Sequence, residues 1–220
     1  DPETGMFAYY MSMEPGFCKT FSKPFDSFWC CVGTGMENHT KYGRYIYMHS
    51  GDELLVNLYI PSRLEWEEQG VALRQETSFP DSEKSTFTVE EAKAGEFTLK
   101  LRRPYWAKEG FKVTVNGKSV DTSQPSSYIA IKRQWEAGDR IQVEMPMQLR
   151  MAAMADNKNR GAFMYGPLLL AGKVGQDVTV PVQYREDQTA LFDLPSIFVP
   201  SLKPGTDQVT DWVKKSEDKA

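Results

Sequence analysis

Two of the three cysteines in this sequence are adjacent, Cys30 and Cys31. They lie in Ser27-Phe28-Trp29-Cys30-Cys31-Val32-Gly33-Thr34-Gly35-Met36-Glu37-Asn38-His39, an aromatic stretch that turns glycine-rich. Neighbouring cysteines rarely bridge, because disulfide geometry needs Cα atoms brought together from separate pieces of chain. A reduced pair is either two small apolar core residues or a set of thiolate ligands and nucleophiles. Thr34 and Glu37 have capping-box spacing, which predicts a helix starting at Thr34 and running to about Met48. Met36, His39, Gly43, Ile46 and Tyr47 would then share one face. A pair just ahead of that start would feel the positive end of the helix dipole, an environment that favours thiolate. Burial of two inert cysteines beside Trp29 accounts for the same pattern equally well.

The other chemistry-bearing residues form no second site. His39 and His49 are the only histidines, which excludes a multi-histidine metal site in this chain. On a helix, His39 is more commonly a packing residue than a ligand. Asn38-His39-Thr40 is formally a glycosylation acceptor, but inside a helix it is a poor one. The carboxylates fall in solvated patterns such as Glu65-Trp66-Glu67-Glu68, with no pair set apart as acid and base for sugar hydrolysis. Trp66, Tyr105, Trp106 and Trp135 sit near strand ends, where core packing is the more frequent role and sugar stacking the rarer one. Arg102-Arg103-Pro104-Tyr105-Trp106 is the most suggestive of these clusters.

The elements that must position the pair follow from pattern and length. The 220 residues suffice for one large or two small domains. With 26 basic and 30 acidic residues and no basic run, the sequence points to neither nucleic acid nor a basic partner. No apolar stretch is long enough to span a bilayer. Three cysteines are too few for a disulfide framework. The opening Asp1-Pro2-Glu3-Thr4-Gly5 has no initiator methionine and no signal peptide, so a piece of a longer protein is expected. Localisation is not readable from it; for a bacterial source, the periplasm or secretion is the expectation.

Phe7 to Met13 reads as a short strand, and Phe17 to Phe28 as an irregular loop carrying Cys18. From Glu53 onward the period changes to two. Strands are expected over Leu54–Ile60, Val71–Phe79, Ser85–Glu91, Glu96–Arg102, Phe111–Val115, Tyr128–Ile131 and Arg140–Met145. Asn116-Gly117 is a type I′ hairpin signal. Met147 to Met154 could continue the last strand, and Gly161 to Gly172 reads as a further buried one. Such spacing predicts a mainly β fold, an antiparallel β-sandwich of jelly-roll type.

The run from Pro24 to His39, with Lys41-Tyr42-Gly43 and Ile46-Tyr47, resembles the double-cysteine segment of the β-L-arabinofuranosidases of glycoside hydrolase families 127 and 146. Leu54-Leu55-Val56-Asn57-Leu58-Tyr59-Ile60-Pro61-Ser62 and Gly166-Pro167-Leu168 are similar to the β-domain that follows there, and the likeness fades after Gly172. The resemblance implies an (α/α)6 barrel followed by β-sandwich domains, and retaining hydrolysis of arabinose-containing glycans. It also implies a cysteine nucleophile, a glutamate acid/base, and zinc held by the paired cysteines with a glutamate and a cysteine of an upstream Glu-x-Cys motif. Carried over, Cys30 would be nucleophile and zinc ligand, and Cys31 a second ligand.

This chain departs from that pattern. It contains no Glu-x-Cys, since Gly16-Phe17 precede Cys18, and it lacks nearly all of the barrel. The resemblance therefore divides it into residues 1–50, the end of the barrel with one leftover helix; 51–172, a sandwich; and 173–220, a partial second β region or tail. The zinc site would be complete only in the full-length parent, and the chain alone would be inactive. Its partners would be the missing barrel and arabinose-containing glycans. Barrel-facing residues such as Phe21, Phe25, Phe28 and Trp29 would favour self-association when uncovered. Two other readings compete: a non-catalytic sandwich that binds carbohydrate through Trp66 or Trp106 or serves as a scaffold, and a small structural zinc protein, disfavoured by the ligand spacing.

Overall fold

The computed structural model describes residues 3–6, 22, 30–93, 95–172, 213 and 216. The expected strand over Phe7–Met13, the loop carrying Cys18 apart from residue 22, and the region 173–220 apart from residues 213 and 216 lie outside them. The chain divides into two compact units, and the second contains residues 43–171.

That second unit is a sandwich. One sheet holds β1 (Tyr47–Ser50), β2 (Glu53–Val56), β6 (Glu96–Arg103) and β9 (Ser127–Gln134), in that order. The other holds β3 (Ser62–Trp66), β4 (Val71–Thr77), β5 (Lys84–Ala92), β10 (Arg140–Glu144), β7 (Lys112–Val115) and β8 (Lys118–Val120). A small third sheet joins β11 (Leu149–Ala153), β12 (Gly161–Tyr165) and β13 (Leu168–Leu169). Alternation decides which residues face inward. Ser85, Phe87 and Val89 of β5, Ile141 and Val143 of β10, and Ile129 and Ile131 of β9 are buried, while their neighbours are more exposed. Leu54, Phe97, Leu99 and Leu101 of the first sheet share one continuous core with Val71, Leu73, Phe87 and Val113 of the second.

The structure corrects the sequence reading in several places. β2 and β6 run parallel, so the sandwich is not wholly antiparallel. The strand expected over Leu54–Ile60 stops at Val56 because the next carbonyls are taken by a side chain. Buried Gln75 donates from Nε2 to Ile60 O at 2.6 Å and to Leu58 O at 3.3 Å, replacing ladder bonds. Met147–Met154 does not prolong β10. Pro146 has no N–H to give, and the chain moves instead to the third sheet. There Leu168, Leu169 and Leu170, expected to be buried, are exposed, since β13 is a two-residue edge strand.

The Asn116-Gly117 turn is as expected, with φ of 49° and 78°, the left-handed pair a type I′ hairpin requires. Asn116 does more than turn the chain. Its Nδ2 donates to Asp139 Oδ1 at 2.6 Å, and Arg140 N donates to its Oδ1 at 2.8 Å, tying the β7–β8 turn to the start of β10. Burial pushes the Asp139 carboxyl up, but the Glu136 N–H, the Asn116 amide and the Arg133 guanidinium outweigh it and hold it below the usual carboxylate range. A depressed carboxyl contributes stability that is present above the unfolded-state value and is lost as pH falls through the folded one. Acid titration of unfolding is therefore expected to show a loss below about pH 4. Asp139→Asn should flatten that loss while lowering stability at neutral pH, and an unchanged acid limb would refute the assignment.

Candidate active-site segment

The paired cysteines open the helix rather than precede it. α1 spans Cys30–Ile46, starting four residues before the expected cap and ending before Met48. Thr34 is not its N-cap. The Thr34 hydroxyl donates to Cys30 O at 3.0 Å, bonding back one turn as Ser and Thr do inside helices. Glu37 pairs with Lys41 at 2.9 Å, one turn on, instead of closing a capping box.

This shift places both residues in the first turn, where backbone N–H groups lack intrahelical partners and the dipole is positive. No acidic residue shares that turn. Cys30 is exposed and is not in a disulfide. Further along, Asn38 Nδ2 donates to Tyr42 Oη at 2.6 Å, and the His39 ring meets the Tyr42 ring edge-on at 6.1 Å. Met36 and Tyr42 are exposed and Ile46 is buried, so the expected apolar face is covered at one end only. Phe21, Phe25, Phe28 and Trp29 lie outside the described residues.

The donor set can be compared with the zinc site the resemblance implies. Cysteine sulfur is a donor zinc favours, and two cysteines stand consecutively at the helix start. A closed tetrahedral site needs four donors. Among the described residues, no group of three or more His, Cys, Asp or Glu is placed to hold a metal ion. The residues present fit half of such a site. His49 is not near such a group; its ring packs on Trp66 at 5.3 Å.

The described carboxylates also look structural. Glu90 lies between Arg63 at 2.6 Å and Arg74 at 2.5 Å, and those guanidiniums hold it below the usual carboxylate range. Glu53 pairs with Lys100 at 2.7 Å, and Glu83 accepts from Met147 N at 2.8 Å. Trp66, Trp106 and Trp135 are buried in the sandwich core, so none of the three is available to stack on a sugar. Tyr105 alone of the four strand-end aromatics is exposed. No helix among the described residues is long and apolar enough to cross a membrane.

Comparison with known proteins accounts for both halves of the arrangement. Residues 1–44 match the family model of the β-L-arabinofuranosidase GH127 catalytic domain, and residues 53–147 match that of the GH127 middle domain. Among solved structures, the chain is similar to Ara127N-Se, a GH127 β-L-arabinofuranosidase from Geobacillus stearothermophilus T6. Identity is 32% and the TM-score 0.60, over 68% of this chain and 25% of that one. A protein described as a glycoside hydrolase matches at 26% identity and a TM-score of 0.61, over 73% of this chain and 27% of that one. The GH127 β-arabinofuranosidase BT3674 shares the fold at 24% identity and a TM-score of 0.65, covering 75% of this chain and 29% of its own. No curated protein sequence matches.

The catalytic-domain match ends at residue 44, inside the cysteine-headed helix, and the middle-domain match begins at residue 53, in the first hairpin of the sandwich. The chain belongs to glycoside hydrolase family 127, and it spans about a quarter of the length of its solved relatives.

Proposed function

We propose that this chain supplies the nucleophile-bearing end of the catalytic domain, and the middle domain behind it, of a retaining hydrolase acting on β-L-arabinofuranosides. The observation that carries this reading is the catalytic-domain match, which runs through Cys30 and Cys31 and ends at residue 44, inside α1. In the first step the Cys30 sulfur attacks the anomeric carbon. A C–S bond forms as the glycosidic C–O bond breaks, and the departing oxygen takes a proton from a carboxylic acid. In the second, that carboxylate removes a proton from water, which attacks the same carbon and releases Cys30 with the sugar configuration retained.

Cys30 and Cys31 would hold the zinc ion, with further donors from outside this chain. Bound zinc keeps coordinating thiols deprotonated at neutral pH. The acid/base carboxylate, like those donors, belongs to a partner segment. The sandwich's part is to anchor the end of α1: Ile46 is buried, and its carbonyl accepts from Asn57 N at 2.9 Å.

Zinc content and hydrolysis, measured together, test this reading. The isolated chain is expected to be nearly zinc-free, with reactive thiols and no turnover of an aryl β-L-arabinofuranoside. The full-length protein should bind about one zinc per chain and turn that substrate over. A full-length protein without this activity, or an isolated chain that has it, would overturn the proposal.

A further inference from the structure

The Arg102–Tyr105 cluster lines an open recess of about 180 Å³ on the sandwich, remote in sequence from the cysteine helix. Arg102, Pro104, Tyr105, Ser126, Ser127 and Tyr128 form its walls. Register makes the site: Arg102 of β6 stands directly opposite Tyr128 of β9, and both side chains are on the exposed face. Asn57 holds the two together. Its Oδ1 accepts from Tyr128 Oη at 2.5 Å, and its backbone carbonyl accepts from Arg102 Nη1 at 3.4 Å. Tyr105, 55% exposed, is braced by Arg150, whose guanidinium lies over its ring at 5.3 Å and donates to its hydroxyl at 2.9 Å. Ser126 sits at φ 63°, a left-handed conformation a serine seldom adopts.

Charge distinguishes this recess from ordinary surface. Among the described residues no carboxylate lines it. Arg102 and Arg150 have no ion pair among the described residues, and Arg150 Nε is buried without a hydrogen-bond partner. Buried Arg103 donates only to the neutral carbonyls of Ala107, Ser123 and Lys108. Arg102 therefore stands beside the exposed Tyr105 and Tyr128 with no anion paired to it among the described residues, while Arg103 turns to the other face of β6, over Phe111. The volume is below the roughly 300 Å³ of a drug-sized pocket, enough for a single sugar ring.

We propose that this recess is a non-catalytic subsite for the carboxylate-bearing sugar of an acidic oligosaccharide, a uronate whose carboxylate pairs with Arg102 while its ring packs on Tyr105 and Tyr128. Guanidinium–carboxylate pairing is geometrically specific, and tyrosine offers an apolar face with a polar tip. The subsite uses none of the cysteine chemistry, so its test stands apart from that of the hydrolytic reading.

The test is calorimetric titration of the 220-residue chain with trigalacturonate, using neutral arabinotriose as the comparator. Saturable binding of trigalacturonate is expected, weakening as salt rises, with arabinotriose much weaker. Arg102→Gln and Tyr105→Ala should each weaken it roughly tenfold or more, the scale of one charge-assisted hydrogen bond or one stacked ring. Both side chains are exposed, and circular dichroism checks that the fold persists. Lys132→Gln, removing an exposed charge elsewhere on β9, should leave binding unchanged. Absent saturation, equal affinity for the neutral sugar, or indifference to both Arg102→Gln and Tyr105→Ala would overturn the assignment.

Discussion

Cys30→Ser in the full-length protein is expected to lower kcat on a β-L-arabinofuranoside by roughly a thousandfold or more, the scale seen when a covalent nucleophile is removed. Serine keeps the shape of the side chain at the head of α1 but puts a weakly acidic hydroxyl where a thiolate is needed. The sandwich core contains neither cysteine, so circular dichroism should show the sandwich intact, separating loss of chemistry from loss of fold. Zinc occupancy should fall in both Cys30→Ser and Cys31→Ser, because each removes a proposed ligand, but only Cys31→Ser keeps the attacking sulfur. Activity within tenfold of the parent in Cys30→Ser would remove the residue from the mechanism.

Trp135→Ala should produce the largest loss of stability. The indole is 1% exposed, stacks on Phe97 with centroids 5.5 Å apart, and donates from Nε1 to Phe97 O at 3.0 Å. Arg133 lies over its outer side at 5.1 Å. Truncation opens a large cavity and strands a carbonyl, and such changes cost about 3–5 kcal/mol. Domains of this size hold only about 5–15 kcal/mol in all, so the variant should unfold about 10 °C lower or fail to accumulate. Urea unfolding measures this directly, and a change below about 1 kcal/mol would contradict the packing described.

What could be read from the sequence was what local pattern encodes. Phe87 and Val89 of β5, and Leu99 and Leu101 of β6, alternate with polar residues, and the structure buries them. Asn116-Gly117 announced its turn because few residue pairs tolerate two positive φ angles in succession. Pairing partners are not local, so nothing near Leu54 revealed that β2 would lie parallel to β6. β3 was hidden among charges: Arg63 and Glu65 point outward from a strand whose Trp66 is buried. Thr34 misled because its hydroxyl has two options, capping the turn after it or bonding to the turn before it, and the second wins.

The same division holds for the site. Residue type and adjacency marked Cys30 and Cys31, and their resemblance to one family supplied roles that spacing could not. Further donors for the zinc proposed there would lie in segments far away in sequence, where no local pattern could point to them. Tyr105 was picked out with three tryptophans on composition alone. Only burial separates it from them, and burial is a property of the assembled sheets.

The most direct measurement of the central claim is peptide mapping by mass spectrometry after the full-length protein is treated with a covalent β-L-arabinofuranosyl inactivator. The mechanism proposed here predicts one sugar adduct, on the Cys30 sulfur, formed in step with the loss of activity. An adduct on a carboxylate or any other side chain, or complete inactivation with Cys30 unmodified, would contradict it.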